Sequence, residues 1–358
     1  MNLKLTPLIV LATLVISCND EEPTPQLDIP SSYESSSYDA NVVSERAVIN
    51  ELAQLTTALN EAESNAQSTA VADIEYPANL SAVTLSSYQT LTSVWLSELV
   101  KAANDDDSFQ NPGIGMPASG EEGGLLGGRL LDEYGLELEQ MIEKGAFGAA
   151  LYNHALTIIN GDLIDASTID KLVEIHGTSP AFDPNETTAA AAYSKRRSNH
   201  VTQEGFFYDI RNSLITARAA IEAGRSFDAL RDQAIADYLI AWEKSNFATV
   251  IFYCNATKVL LQSASGDEKI LGDAIHAYAE GVGFAHGFKG LANKQITDAQ
   301  IDLILELLLA PDGEIAQSYQ FLNDATLLSN FDQIISDIQR IYGFTDEEIA
   351  SFYVNDPT

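Results

Sequence analysis

The stretch SNFATVIFYCNAT, residues 245–257, decides the fold class because none of its thirteen side chains is charged. It lies in a longer segment, residues 228–263, that contains no proline and so nothing that would break a helix. A helix that is nearly apolar on all sides must be surrounded by other helices, since a surface helix keeps one polar face. The stretch therefore predicts the central helix of a helical bundle.

Apolar residues recur at helical spacing along most of the remaining chain, whereas a sustained alternation of apolar and polar residues is absent. The sequence therefore predicts an all-α protein. The stripes that indicate helices are Val48, Leu52, Leu55 and Leu59; Tyr88, Leu91, Trp95 and Leu99; Leu130, Tyr134, Leu138 and Met141; Ile301, Ile304, Leu305 and Leu308; and Phe331, Ile334, Ile335, Ile338 and Ile341.

Two segments about one hundred residues apart are similar. A duplication would give two similar helical bundles, which we place at residues 41–203 and 204–358. Chance similarity between short segments is the alternative. The matching residues are Glu143-Lys144 with Glu243-Lys244, Phe147 with Phe247, and Ile175-His176 with Ile275-His276.

The composition excludes several functional classes. The 358 residues include 19 Lys and Arg against 52 Asp and Glu, a formal net charge of −33. So acidic a chain repels phosphate backbones, and we expect no binding to nucleic acid. The two Cys form no Cys-x-x-Cys pair, which excludes zinc fingers, iron–sulfur clusters and a disulfide framework. Cys254 lies in the apolar stretch and is expected to be a small buried residue.

The N-terminus resembles that of a bacterial lipoprotein. Residues 1–17 predict a secretory signal peptide, because their apolar run is shorter than the roughly 20 residues that span a bilayer. The run ends at Leu14-Val15-Ile16-Ser17-Cys18, which resembles a lipobox and makes Cys18 the predicted lipidation site. Residues 18–40 are rich in Pro, Ser and acidic residues and predict a flexible tether. An ordinary signal peptide followed by a chance Cys is the alternative.

Acidic residues follow Cys18 almost directly, in Asn19-Asp20-Glu21-Glu22. This pattern resembles the surface-export signal of Bacteroidetes-type lipoproteins. The sequence therefore predicts a protein anchored in the outer membrane by acyl chains and facing the cell surface. No later segment is long and apolar enough to cross a membrane.

A candidate metal site lies on the predicted helix around residue 276. His276 and Glu280 differ by about 40° around a helix and share one face. If Glu243 projects from the central helix towards them, the three side chains form a cluster inside the bundle. Helical bundles build metal sites from inward carboxylates and imidazoles in this way. Two alternatives are a buried hydrogen-bonded pair that braces the core and a general acid–base pair.

The residues around these positions resemble a known family. Ile142-Glu143-Lys144-Gly145-Ala146-Phe147-Gly148, Trp242-Glu243-Lys244 and the segment from His276 to Phe284 are similar to motifs of domain of unknown function 4856. The likeness extends from about Tyr38 to Tyr342. The family consists of bacterial lipoproteins and looks related to the imelysins, two-bundle helical proteins associated with iron uptake. In place of the imelysin motif Gly-x-His-x-x-Glu, this chain has Ala274 before His276 and its acid at Glu280.

Three functions are compatible with the sequence. The resemblance implies an accessory protein of iron acquisition that binds iron or haem and cooperates with an outer-membrane receptor or an imelysin-like partner. The first alternative is a peptidase-like hydrolase that uses His276 and Glu280. The second is a structural, protein-binding lipoprotein. We predict no enzyme, because the sequence contains neither His-Glu-x-x-His nor Gly-x-Ser-x-Gly.

Overall fold

The computed structural model describes residues 26–105, 108–110, 122–161 and 163–357. The predicted signal peptide and Cys18 lie outside the described residues. Within the described part, no helix has both the length and the apolar character that a membrane span requires.

The central helix is α10, Asp228–Ser263, which contains the apolar stretch quoted above. It packs between α9, Phe206–Ala223, and α11, Glu268–His286. Trp242 and Phe247, on successive turns of α10, are both buried. The prediction of a central helix is confirmed, and the protein is all-α, as the periodicity of the sequence predicts.

Further helices surround this central group. A π-helical segment, Phe147–Tyr152, joins the helix that ends at Ala146 to the helix that begins at Asn153 without a break. The remaining helices are α1 Tyr38–Asn41, α2 Val43–Asn65, α3 Ala78–Val83, α4 Ser86–Asn104, α5 Leu138–Ala146, α6 Asn153–Ile159, α7 Ala166–His176, α8 Ala189–Arg196, α12 Asp298–Leu307, α13 Gln320–Asn323, α14 Ser329–Tyr342 and α15 Asp346–Phe352.

Glycines bring α5 and the end of α11 into backbone contact. A Cβ atom on Gly287 would collide with the carbonyl oxygen of Gly145, and one on Gly148 would lie 2.5 Å from the carbonyl oxygen of Gly287. Only a residue without a side chain fits such an approach. The contact fixes how α5 sits against α11, and these two helices carry most of the candidate site.

In the part of the chain that the structure describes, two short antiparallel hairpins interrupt the helices. Strands β1, Gly123–Leu126, and β2, Arg129–Asp132, are joined by Gly127 and Gly128, which both have positive φ. A two-residue turn of this kind suits a hairpin. The second hairpin pairs β3, Ser198–Asn199, with β4, Glu204–Gly205. The helical stripe predicted from Leu130 to Met141 is therefore wrong at its start, because Leu130 lies in β2 and Tyr134 in the following turn.

One hydrophobic core extends through both predicted bundles. Helix α5, from the first predicted bundle, packs against α11, from the second, and their buried residues belong to the same cluster. The division near residue 203 and the internal repeat stay predictions.

The N-terminal segment joins the folded body earlier than predicted. Tyr33 is buried and donates a hydrogen bond of 2.6 Å from its hydroxyl to Oδ1 of Asp170 on α7. Ser35 donates to Oδ2 of the same carboxylate at 2.8 Å. Arg218 on α9 pairs with Asp170 at 2.7 Å. The prediction that the flexible tether reaches residue 40 is therefore wrong from Tyr33 onward, because a buried carboxylate holds the segment.

Candidate functional site

His276 lies near the middle of α11 and points towards the beginning of α5. Its Nδ1 atom is 2.9 Å from Oε2 and 3.0 Å from Oε1 of Glu137. The Glu137 side chain is fully buried, whereas that of His276 is 24% exposed. Glu137 immediately precedes α5 and has an extended backbone. Its position at the helix start turns the carboxylate towards α11.

Glu280 lies one turn after His276, on the same face of α11, as the spacing in the sequence predicts. Its Oε2 atom is 3.7 Å from Nε2 of His276. Its Oε1 atom accepts a hydrogen bond of 3.2 Å from the Tyr193 hydroxyl and lies 3.5 Å from Nζ of Lys144. Lys144 is itself buried and also contacts the Glu143 carboxylate. Glu280 therefore has a cation and a hydroxyl donor beside it.

Two further carboxylates approach Glu137. Glu63 on α2, Glu137 and Glu139 each offer an oxygen, and these three atoms lie within 4.8 Å of one another. We call these three residues the carboxylate cluster. Arg129 on β2 lies beside it, with its Nη1 atom 3.7 Å from Glu63 and 3.9 Å from Glu137. The cluster thus joins one residue of α2 to two at the start of α5.

Burial shifts the protonation equilibria of this site. Desolvation, together with the charge of Glu63, raises the pKa of Glu137 well above its ordinary value, although Arg129 opposes the shift. Desolvation and the neighbouring Glu137 raise the pKa of Glu139 to about 7. The His276 imidazole responds in the opposite direction, since burial lowers its pKa despite the nearby Glu280. The site therefore favours a neutral imidazole and resists full ionisation of its carboxyl groups.

Lys144 remains a cation in this environment. Burial on its own would lower its pKa, but the electrostatic effect of Tyr193 and of the Glu143 and Glu280 carboxylates outweighs burial and raises it. Lys144 therefore stabilises the negative charge of Glu280. Arg129 lies at the other end of the site, beside Glu63 and Glu137.

Gln140 supplies an unusual polar atom beside the cluster. Its side-chain nitrogen donates to Oε2 of Glu139 at 2.7 Å, whereas its Oε1 atom is buried and has no hydrogen-bond partner among the described residues. A buried acceptor without a donor costs free energy, unless a cation or a proton reaches it. Oxygen atoms from Gln140 and the carboxylate cluster form the type of donor set that a divalent cation prefers.

Glu243 does not join His276 and Glu280, so the prediction that it does is wrong. Its oxygens accept hydrogen bonds from the backbone N–H groups of Gln295 and Ile296, at 2.8 Å each, and from the Tyr342 hydroxyl at 2.7 Å. Glu243 therefore braces α10 against the segment that precedes α12.

The packing of α10 on α11 explains the separation of Glu243 from His276. Asn246 donates to the carbonyl oxygen of Phe284 at 3.0 Å, and Tyr253 lies beside Gly281, so the two helices run antiparallel. His276 is eight residues before Phe284, about 12 Å along the helix axis. Glu243 lies beyond Asn246 in the opposite direction, and this increases the separation.

The two Ile-His pairs of the predicted repeat occupy different environments. His176 is fully buried against Trp242, with ring centroids 4.6 Å apart, and neither ring nitrogen has a hydrogen-bond partner among the described residues. Burial lowers its pKa to about 3. His276, by contrast, is partly exposed and contacts two carboxylates. His176 is thus a neutral core residue.

Sequence reasoning missed Glu63, Glu137, Glu139 and Arg129. Glu63 occupies an ordinary position near the end of α2, and only the three-dimensional fold brings it to the site. The pair Glu137-x-Glu139 at the start of an apolar stripe is a visible signal, but in a chain with 52 acidic residues it carries little information. Comparison of the chain with protein-family models, curated proteins and solved structures finds no match.

Proposed function

We propose that this chain is a lipid-anchored protein of the outer-membrane surface that binds a metal ion and serves iron acquisition. The observation that carries the proposal is the carboxylate cluster of Glu63, Glu137 and Glu139, whose three oxygens lie within 4.8 Å of one another, with His276 next to Glu137. The iron role and the anchor also draw support from the family resemblance and from the lipobox-like segment around Cys18.

Charge balance supports a cation at this position. The buried site brings five carboxylates, those of the carboxylate cluster together with Glu143 and Glu280, near Arg129 and Lys144. Ionised carboxylates are costly to bury without compensating charge. Protons compensate at Glu137 and Glu139, whose pKa values are raised. A divalent ion would displace those protons and supply the missing positive charge.

The donor set favours a metal ion over haem. Carboxylate and amide oxygens would coordinate the ion, and helical bundles hold iron and manganese with inward carboxylates of this kind. His276 would orient Glu137 through its Nδ1 atom, since carboxylates that bind metals are commonly held by a second hydrogen bond. We therefore place His276 as a positioning residue and Glu63, Glu137 and Glu139 as the proposed ligands.

Metal titration tests the proposal directly. The full chain is purified in detergent, stripped with a chelator and titrated anaerobically with Fe(II), Mn(II) and Zn(II) by calorimetry and elemental analysis. We expect one ion per chain, weaker binding for Glu137→Gln, and a loss of about 10- to 100-fold for His276→Gln. Glu243→Gln is the buried control and should bind normally. If none of the three metals binds stoichiometrically, the metal function is refuted.

The hydrolase alternative has one specific observation in its favour. A buried carboxylate on Nδ1 orients the imidazole of His276 and leaves Nε2 to face Glu280, an arrangement that suits a general base. Proteolysis of a fluorescent casein that disappears in His276→Gln, without metal binding, would favour this function. If His276→Gln changes thermal stability alone, the pair only braces the core.

The anchor is tested separately from the site. Mass spectrometry of the N-terminal peptide should detect acylated Cys18 in protein expressed with its leader, and Cys18→Ala should abolish both acylation and membrane fractionation. Unmodified Cys18 in a host that processes lipoproteins would contradict the lipoprotein assignment. The proposed metal site would be unaffected.

A further inference from the structure

A cavity lies on the side of the 132–138 segment that faces away from His276. It has a volume of about 700 Å³ and lies between α4, the 132–138 segment, the start of α5 and residues 310–317. Leu136 and Leu138 line the cavity, while Glu137 between them turns to His276, because alternate side chains of extended backbone point in opposite directions. The cavity is therefore separate from the carboxylate cluster.

The walls of this cavity are largely apolar. Trp95, Leu138 and Met141 line it, and at its rim Val94 and Ile315 are 54% and 56% exposed. The Trp95 ring also packs edge-on with His286, another lining residue, at 5.5 Å between centroids. A volume of several hundred Å³ with aromatic and aliphatic walls is typical of sites for small organic ligands.

The charged groups that line the cavity are all acidic. Asp132 and Glu314 line it, whereas no Lys or Arg of the described residues does. One oxygen of Asp132 accepts hydrogen bonds from the backbone N–H groups of Tyr134 and Leu136, at 2.9 and 2.8 Å. These bonds hold the carboxylate in place but supply no full positive charge. Desolvation raises the pKa of Asp132 to about 7, despite those two bonds.

His286 does not provide the missing charge either. Its Nε2 atom lies 3.1 Å from Asp312, and Asp312 also pairs with Lys289 at 2.7 Å. These three residues pair with one another next to the cavity, and no cation among the described residues forms an ion pair with Asp132 or Glu314.

We propose that this cavity binds a small organic amine, with its ammonium group at Asp132 and its hydrocarbon body between Trp95 and Met141. An ammonium would supply the charge that Asp132 lacks, and the indole of Trp95 would attract the cation and cover the apolar part. An anion of the same shape would meet two carboxylates and be excluded. The inference is independent of the proposed metal function, since the two sites share no ligand residue.

Three probes of nearly equal shape test the charge selectivity. Phenethylamine, 2-phenylethanol and 3-phenylpropionate are titrated into the full chain in detergent at about pH 8, where Asp132 is ionised. The readouts are calorimetry and quenching of Trp fluorescence. We expect the amine to bind at least about tenfold more tightly than the other two. Equal binding of amine and acid, or no binding of the amine at about 10 mM, would overturn the proposal.

Two variants locate the bound amine. Asp132→Asn retains the oxygen that accepts the two backbone hydrogen bonds, so the turn is preserved, and it should weaken amine binding about tenfold. Trp95→Leu should weaken all probes and abolish the fluorescence change. Glu61→Gln, an exposed acid on α2, is the matched control and should bind the amine normally. Unchanged amine affinity in folded Asp132→Asn, as judged by circular dichroism, would place the amine elsewhere and refute the assignment.

Discussion

His276 and Glu137 are 139 positions apart in the chain, yet Nδ1 of the imidazole lies 2.9 Å from the buried carboxylate. The contact joins α11 to the residue that immediately precedes α5, directly beside Glu63 and Glu139. Any change in the charge of the carboxylate cluster therefore acts on the interface between these two helices.

Glu137→Gln should stabilise the metal-free protein while it weakens metal binding. The amide retains the size of the side chain and can accept a hydrogen bond from His276, but it removes a carboxyl group whose pKa burial holds well above the ordinary value. We expect a gain of about 1 kcal/mol, or roughly 2 °C in melting temperature, measured with chelator present. A large loss would mean that the ionised carboxylate stabilises the fold through Arg129.

Glu139→Gln should reveal a pH-dependent cost of burying a carboxylate. The pKa of Glu139 rises to about 7 in the folded state, so the folded protein binds its proton more tightly than the unfolded chain. The resulting cost is absent below about pH 4.5, grows up to pH 7 and then stays at about 3 kcal/mol. The stability advantage of Glu139→Gln over the parent should therefore increase from pH 5 to 8 in urea unfolding with chelator.

The comparison between the parent protein and Glu139→Gln cancels the contribution of His176, whose pKa is shifted by burial alone. The pKa of His176 falls to about 3, so its contribution to stability is lost as the pH drops below 6.5 in both proteins. A stability difference that does not change between pH 5 and 8 would show that Glu139 is ionised throughout.

Asp170→Ala should loosen the N-terminal segment. The buried carboxylate accepts hydrogen bonds from Tyr33, Ser35 and Arg218, and its removal leaves the guanidinium without this partner. We expect a loss of about 3 kcal/mol in urea unfolding and faster proteolysis near residue 33. Asp39→Ala is a matched control, because its exposed pair with Arg46 contributes at most about 1 kcal/mol. Equal losses in the two variants would contradict the proposed role of Asp170.

Glu243→Gln should destabilise the protein without changing metal stoichiometry. The carboxylate accepts from the backbone N–H groups of Gln295 and Ile296, and an amide offers one acceptor oxygen where the carboxylate offers two. One buried donor is then unsatisfied, which costs about 2 kcal/mol. Thermal unfolding and metal titration of the same sample check both halves. A reduced metal stoichiometry in the folded variant would return Glu243 to the site.

The sequence predicts the central helix and the all-α class well because both depend on local patterns. Residues 245–257 carry no charge on any side, and α10 buries most of them against neighbouring helices. Local patterns also explain why the sequence does not reveal the first hairpin. Leu130 happens to fall at helical spacing from Tyr134, and two glycines in sequence do not reveal that both have positive φ.

The candidate site is predictable only in part. The spacing of His276 and Glu280 places them on one face of α11, and the structure has them there. Glu137 lies just before the periodic residues of α5, and Glu63 comes from another helix, so neither follows from local periodicity. Glu243 shows the converse: its burial is predictable from the apolar helix around it, but the backbone donors that satisfy it belong to a distant segment.

The hydrogen bond between Tyr33 and Asp170 also limits how far the folded body can lie from Cys18. Tyr33 follows Cys18 by fifteen residues, and an extended chain advances at most about 3.5 Å per residue, so the intervening chain can span at most roughly 50 Å. If Cys18 carries acyl chains, the folded body stays close to the membrane. Its maximum distance from the membrane surface is then little larger than the thickness of the bilayer. On the proposed function, the protein would exchange its metal ion at the membrane surface, with receptors that lie within this distance of Cys18.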